Sequence, residues 1–205
     1  MALLPPTAPG FSSDARSPVL IELYLDLICP FSRKMFAAVF ENDATWKVGG
    51  DWSPFSFVIH QVVQPWHPQG TYVHEAALAV KLIAPEAYLP FISKVYAAHE
   101  KGQFKDNTVW NKSRQQIYDE LVAIAESCGV KGIDQKLKMK ETGECNEMTQ
   151  HIKWAVKYHR CRGVHVTPTV HVNGLEAGIV SSGWTTEQWI QFLRPGGADN
   201  FTGAQ

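Results

Sequence analysis

At about 150 residues per domain, a chain of 205 residues is expected to form one domain, or one domain carrying a large insertion. Its 45% hydrophobic content excludes a disordered chain and is enough to bury a core without disulfide staples. Nineteen basic residues against twenty acidic ones leave a net charge of −1, which gives no electrostatic reason to bind nucleic acid or an anionic membrane surface.

Residues 1–17 contain Pro5, Pro6, Pro9 and Gly10 and are expected to be a loose, flexible extension. They show neither a basic n-region nor an apolar h-region, so no signal peptide is expected. Residues 19–28 alternate Leu23, Leu25 and Leu27 with Glu22, Tyr24 and Asp26, which predicts a strand covered on both sides. After Cys29 and Pro30 the spacing turns helical, with Phe31, Met35 and Val39 in one row and Phe36 and Phe40 in the next. Residues 55–63 form a second β-branched and apolar run, a second strand.

From about residue 69 to residue 163 the pattern predicts helices alone. One spans residues 88–99. In another, Ile117, Leu121, Ile124 and Cys128 share a face, Ser113 and Gln116 occupy capping-box positions, and Gly129 is the stop. A third runs over residues 145–161. Strands return at 170–172 and 175–180, joined by Asn173-Gly174, a type I′ hairpin signal. A last helix carries Trp189, Phe192 and Leu193, with Thr185 and Gln188 at its cap and Pro195-Gly196-Gly197 as its break. An isolated strand or hairpin is marginal, so the two sheet-forming ends must pair. Residues 18–66 and 164–195 then form one discontinuous α/β domain, 67–163 a helical insertion, and 196–205 a flexible end.

Two segments carry chemistry. In Asp26-Leu27-Ile28-Cys29-Pro30-Phe31-Ser32 a cysteine sits where a strand ends and a helix begins, facing unpaired N–H groups and the positive end of the helix dipole. Such positions lower a cysteine pKa from about 8.5 to between roughly 3.5 and 7.5, so Cys29 is expected to be a reachable nucleophile near neutral pH. Asp26 could accept its proton, and Ser32 could hydrogen-bond its thiolate. The second segment is Val164-His165-Val166-Thr167-Pro168-Thr169, where a proline must lie at a strand start, an edge or a turn. None of the eight histidines falls in an H-x-x-x-H pair and no C-x-x-C pair occurs, so no metal site is expected. Four unevenly spaced cysteines point to free thiols and a cytoplasmic setting.

Together, Asp26-x-x-Cys29-Pro30-Phe31-Ser32, the helical insertion, Gly163-Val164-x-x-Thr167-Pro168-Thr169 and Asn173-Gly174 resemble the DsbA-like branch of the thioredoxin fold. That branch includes kappa-class glutathione transferases and 2-hydroxychromene-2-carboxylate isomerases. The resemblance implies a thioredoxin-like α/β fold with an all-helical insertion. It implies that Cys29 is the attacking thiol, that Pro30 and Phe31 shape the active-site turn, and that Pro168 is a cis-proline facing Cys29. The backbone of Thr167 would pair with an extended substrate or with glutathione.

The fourth motif position departs from the C-x-x-C of the oxidising members. Ser32 cannot attack a mixed disulfide, so exchange would wait for an outside thiol, glutathione being the obvious one. The transferase and isomerase relatives carry serine at the first position, where this chain has Cys29. The C-P-F-S sequence is also similar to the C-G-F-S of monothiol glutaredoxins, but Pro30 replaces the glycine and the insertion is foreign to that family. Three readings therefore stand: a glutathione-linked monothiol thiol–disulfide oxidoreductase, a glutathione transferase or isomerase acting on a small electrophilic or aromatic compound, and a non-catalytic binding protein of the same fold. No bound cofactor is expected. Glutathione would be a co-substrate, the second partner a disulfide or small electrophile, with room for a homodimer. Cys161, close in sequence to the Pro168 loop, is the one candidate for a remote resolving thiol.

Overall fold

The computed structural model of the chain describes residues 10–12, 19–42 and 55–193. The expectations for most of the first 17 residues and for residues 195–205 lie outside these.

Strand β2 (Val19–Leu25) is the centre of the molecule. It runs parallel to β3 (Phe55–Gln61), with Val19 opposite Phe55 and Leu25 opposite Gln61. Parallel neighbours need a crossover between them, and α1 (Pro30–Phe40) lies within it. On its other edge β2 pairs antiparallel with β4 (Thr169–Val172), Ile21 meeting Val172 and Tyr24 meeting Thr169. The two ends of the described chain thus share one sheet, in which β1 (Gly10–Ser12) and β5 (Leu175–Glu176) form the edges in the order β1-β3-β2-β4-β5.

Between β3 and β4 the chain forms helices: α2 (Gly70–Ile83), a short 3-10 turn at Pro85–Ala87, α3 (Tyr88–Glu100), α4 (Asp106–Val109), α5 (Arg114–Ser127), α6 (Ile133–Leu137) and α7 (Thr149–Cys161). Helix α2 is the hub, packed against α3, α5, α6 and α7. Its small side chains Ala76, Ala77 and Ala79, all buried, let the surrounding helices approach closely. At α5 the expected capping box is present in both directions, Ser113 with the Gln116 N–H and Gln116 with the Ser113 N–H. Helix α8 (Thr186–Leu193) is the last element among the described residues, with Thr185 and Gln188 bonded the same way. The Thr186 hydroxyl donates to Ala38 O at 2.8 Å and ties α8 to α1. Among the described residues no helix is long and apolar enough to cross a membrane.

The alternation in β2 sorts its side chains into two environments. Ile21, Leu23 and Leu25 join Phe57, Ile59, Val170, Met35 and Phe36 in the main apolar core. Register places Glu22 beside His171 and Tyr24 beside His60 on the opposite face. That face is polar and still buried, all four side chains being covered.

Several boundaries differ from those the sequence suggests. Gly10–Ser12, expected to be loose, pairs antiparallel with His60–Val58, because the outer edge of β3 would otherwise leave its backbone groups open. Strand β2 stops at Leu25 instead of residue 28, because Asp26 turns the chain by accepting the N–H groups of Ile28 and Cys29. Helix α7 starts at Thr149, not at Cys145. Cys145 has a left-handed φ of 45°, and the Asn146 side chain accepts the N–H groups of Met148 and Thr149 at 2.9 and 3.1 Å. In the hairpin, Asn173 and Gly174 have φ of 49° and 86°, as a type I′ turn requires. Its second strand is only two residues long, because after the Ala177 N–H bonds Val170 O the chain turns away, Val180 N–H reaching back to Ala177 O.

Candidate functional site

The end of β2 is set by a turn that Asp26 makes with itself. Its carboxylate accepts the Ile28 N–H at 3.2 Å and its carbonyl accepts the Cys29 N–H at 3.2 Å, the local bonding by which aspartate competes with a strand ladder. Cys29 is therefore the N-cap of α1, with extended φ and ψ of −79° and 125°. Pro30 follows at the first helical position, where its missing N–H costs nothing. The first helical bond runs from the Arg33 N–H to Cys29 O at 2.9 Å. The N–H groups of Phe31 and Ser32 thus belong to the open first turn beside the sulfur.

Facing this turn is the chain before β4, and the Thr167–Pro168 peptide bond in it is cis. The Cys29 thiol points at Thr167 O, 3.7 Å away across 138 positions of sequence. Three further bonds pin the loop: Gln64 Nε2 to His165 O at 3.2 Å, His159 Nδ1 with Val164 O at 3.2 Å, and the Thr169 hydroxyl to Val166 O at 2.9 Å. Cys29 is 7% exposed. A strand–helix junction alone suggested a more open thiol, and the Thr167 carbonyl against the sulfur explains the difference. Three apolar side chains are exposed on the neighbouring segments: Phe31 after Pro30, Val166 before Thr167, and Trp66 on the β3–α2 connection.

Ser32 is fully buried and its oxygen accepts the Asp26 N–H at 3.3 Å, so it braces the turn. Asp26 is also fully buried. Its two oxygens are directed to the Ile28 N–H and to two imidazoles, His67 Nδ1 at 2.7 Å and His74 Nε2 at 3.2 Å. Burial works to raise the Asp26 pKa; the hydrogen bonds from His67 and His74 outweigh it and hold the carboxyl below its ordinary range. His67 responds in the other direction. Its bond to Asp26 raises the imidazole pKa against the opposing pull of burial. Beyond His74 the network continues through Gln61 at 3.2 Å to Tyr88 at 2.9 Å, and the Tyr96 hydroxyl donates to Asp26 O at 3.1 Å.

Sequence reasoning brought out Cys29, Ser32, Pro30, Phe31, Asp26, Thr167 and Pro168, and the structure brings all seven together. It missed His67, His74, Gln61, Tyr88 and Tyr96. Only Gln64-Pro65-Trp66-His67 offered a signal, as a polar–aromatic run directly after a strand. Cys161 is an exposed free thiol at the end of α7, and Cys29, Cys128 and Cys145 are free as well.

Under the same loop, on the polar face of the sheet, a second cluster forms. Glu22 accepts from His60 at 3.0 Å, Tyr158 at 2.9 Å and Arg162 at 2.9 Å. Arg162 also reaches Gly174 O at 3.0 Å and lies 3.1 Å from His171 Nδ1. Burial raises the Glu22 pKa, but the bonds from His60 and Tyr158 and the positive charge of Arg162 more than reverse this and bring it down to about 2. The cluster fastens the end of α7, and with it the start of the cis-proline loop, to β2 and the hairpin.

A parallel β-α-β unit, an antiparallel hairpin carrying a cis-proline, and a cysteine at the N-cap of the first helix define a thioredoxin-like fold. The helices between β3 and β4 give it the DsbA-like form. The family model described as Thioredoxin matches residues 13–191, and the chain belongs to that family. No curated protein matches it. Among solved structures it is similar to a candidate protein-disulfide isomerase from Pseudomonas syringae, with a TM-score of 0.67 and 24% identity over 89% of this chain and 96% of that one. The MdbA thiol-disulfide oxidoreductase of Actinomyces oris gives a TM-score of 0.66 and 15% identity over 92% and 87%. The thiol-disulfide exchange protein alpha-DsbA2 of Wolbachia pipientis gives 0.58 and 16% over 87% and 82%. At these identities the likeness is one of fold.

Proposed function

We propose that the protein is a monothiol thiol–disulfide oxidoreductase that works with glutathione. The observation that carries this reading is the Cys29 sulfur at the N-cap of α1, 3.7 Å from Thr167 O across the cis-proline loop. The open first turn of α1 offers N–H groups and the positive end of a dipole to a sulfur anion. The Cys29 thiolate attacks one sulfur of a disulfide R–S–S–R′, forming Cys29–S–S–R. The R′–S⁻ that leaves takes a proton from solvent. Ser32 has no sulfur with which to displace R. A glutathione thiolate therefore attacks the R sulfur, giving G–S–S–R and returning Cys29 as thiolate. Phe31, Trp66 and Val166, more than half exposed at 55%, 60% and 63%, supply apolar contacts to the substrate, and the Thr167 backbone pairs with it as an added strand. Similarity in fold to a thiol-disulfide oxidoreductase and to a thiol-disulfide exchange protein supports the reading. The working partners are glutathione and a disulfide, with no bound cofactor.

The test is intact-mass analysis after treatment with glutathione disulfide, alongside turnover of a mixed-disulfide substrate. One glutathione adduct on Cys29, released by free glutathione, is expected, and Cys29→Ser should abolish turnover. Glutathione-dependent turnover of an electrophilic dye that survives in Cys29→Ser would replace this reading with transferase chemistry. Neither adduct nor turnover would leave a binding protein.

A further inference from the structure

A buried carboxylate three positions before a nucleophilic cysteine poses an electrostatic problem. The thiolate of Cys29 would form next to a negative charge that solvent cannot screen, and a like charge nearby disfavours ionisation. Both groups sit in one turn: the Asp26 carbonyl accepts the Cys29 N–H at 3.2 Å while the Asp26 carboxylate accepts the Ile28 N–H at 3.2 Å.

The structure also holds the counter-charge. His67 Nδ1 lies 2.7 Å from Asp26 Oδ2, and the imidazole is 17% exposed against 0% for the carboxylate. The imidazole therefore reaches from the buried acid to solvent. His74, fully buried on α2, meets the other carboxylate oxygen. Of the further groups that face His67, Asp106 on α4 also favours its charged form, while His99 on α3 is disfavoured by it and by Lys105. Arg33 on α1 pairs with Glu41 and Glu100, and its guanidinium lies 5.9 Å from the centre of the Tyr96 ring.

We infer that His67 is a positioning residue of the thiol centre: its imidazolium neutralises the buried Asp26 carboxylate, so that Cys29 ionises without facing an uncompensated negative charge. This rests on the reading of Cys29 as the nucleophile, and it assigns the proton-responsive part of that site. His67 acts through Asp26 and needs no contact with substrate.

The test reads Cys29 directly by the pH dependence of its alkylation with iodoacetamide, followed by peptide mass. Alkylation needs no disulfide and no glutathione, so this result stands apart from failure of the exchange reading. His67→Asn keeps an N–H donor near the Nδ1 position and removes the charge. The expected outcome is a profile displaced to higher pH, with the rate at pH 6.5 lower by about tenfold. In an Asp26→Asn background the same change should leave the profile where Asp26→Asn alone puts it. An unchanged profile in His67→Asn, or a displacement that persists without the carboxylate, overturns the inference.

Should His67→Asn fail to fold, reciprocity supplies a second measurement. The His67 imidazole, titrated by NMR, should lose its proton at lower pH in Cys29→Ser than in the unsubstituted protein. Equal midpoints overturn the inference equally well.

Discussion

The carboxylate of Glu22 on the central strand and the guanidinium of Arg162 at the end of α7 lie 2.9 Å apart although 140 residues separate them. Together with His60 and Tyr158 this pair joins the start of the cis-proline loop to the sheet. Glu22→Gln keeps hydrogen-bonding capacity toward His60 and Tyr158 and strips Arg162 of its counter-charge. Breaking an enclosed pair costs about 3–5 kcal/mol, and with Arg162 partly exposed the expected loss at pH 7 is about 2 kcal/mol. The Glu22 carboxyl is depressed to about 2 from an ordinary 4.5. Its contribution is therefore complete above the ordinary value and is lost as pH falls towards the folded one. Urea unfolding midpoints of variant and parent should converge as the pH is lowered; a gap that persists at acid pH contradicts the assignment.

Ser32 stands in the first turn of the helix that Cys29 caps, so Ser32→Cys places a second sulfur within the turn. After treatment with glutathione disulfide, the expected product is an internal disulfide that has expelled glutathione, read as a mass two hydrogens below the reduced protein. The parent should instead hold a glutathione adduct until free glutathione removes it. The variant also loses the oxygen that accepts the Asp26 N–H, with an expected cost of about 1 kcal/mol in the reduced form. A stable glutathione adduct in Ser32→Cys would mean that the two positions cannot meet.

The Asp26–His67 pair makes stability depend on pH in two directions. The Asp26 carboxyl is depressed, so its share is present above the ordinary carboxyl range and is lost on acidification. His67 is raised, so its share is complete below the ordinary imidazole value and is lost as pH rises through the folded one. Their joint contribution is largest between roughly pH 4 and 6.5. His67→Ala should cost about 2 kcal/mol there, less than for a fully enclosed pair because His74 still bonds the acid, and less again at pH 8. Thermal melts across pH check the sign. A cost that grows toward pH 8 would refute it.

Ser113→Ala removes one half of the capping box of α5 and should destabilise by about 1 kcal/mol. The site lies in the helical segment away from Cys29, so alkylation of Cys29 at fixed pH should not change. A fall in that rate would show that the helical segment and the thiol turn unfold together.

What the sequence determined by itself was local. Alternation along residues 19–25, helical spacing after Pro30, the boxes at Ser113 and Thr185, and Asn173-Gly174 each depend on residues a few positions apart, and each was legible as order and type of element. Cys29 at a helix start was legible for the same reason, since a cap is defined by its immediate neighbours. Tertiary structure decided whatever joins distant positions. His67 and His74 reach Asp26 over 41 and 48 residues, Thr167 covers Cys29 over 138, and Gly10–Ser12 becomes a strand only because β3 offers it an edge. A charged side chain survives burial only where a partner is delivered to it, and that delivery is set by sheet register and helix packing, which leave no mark on the residues next to it in the chain.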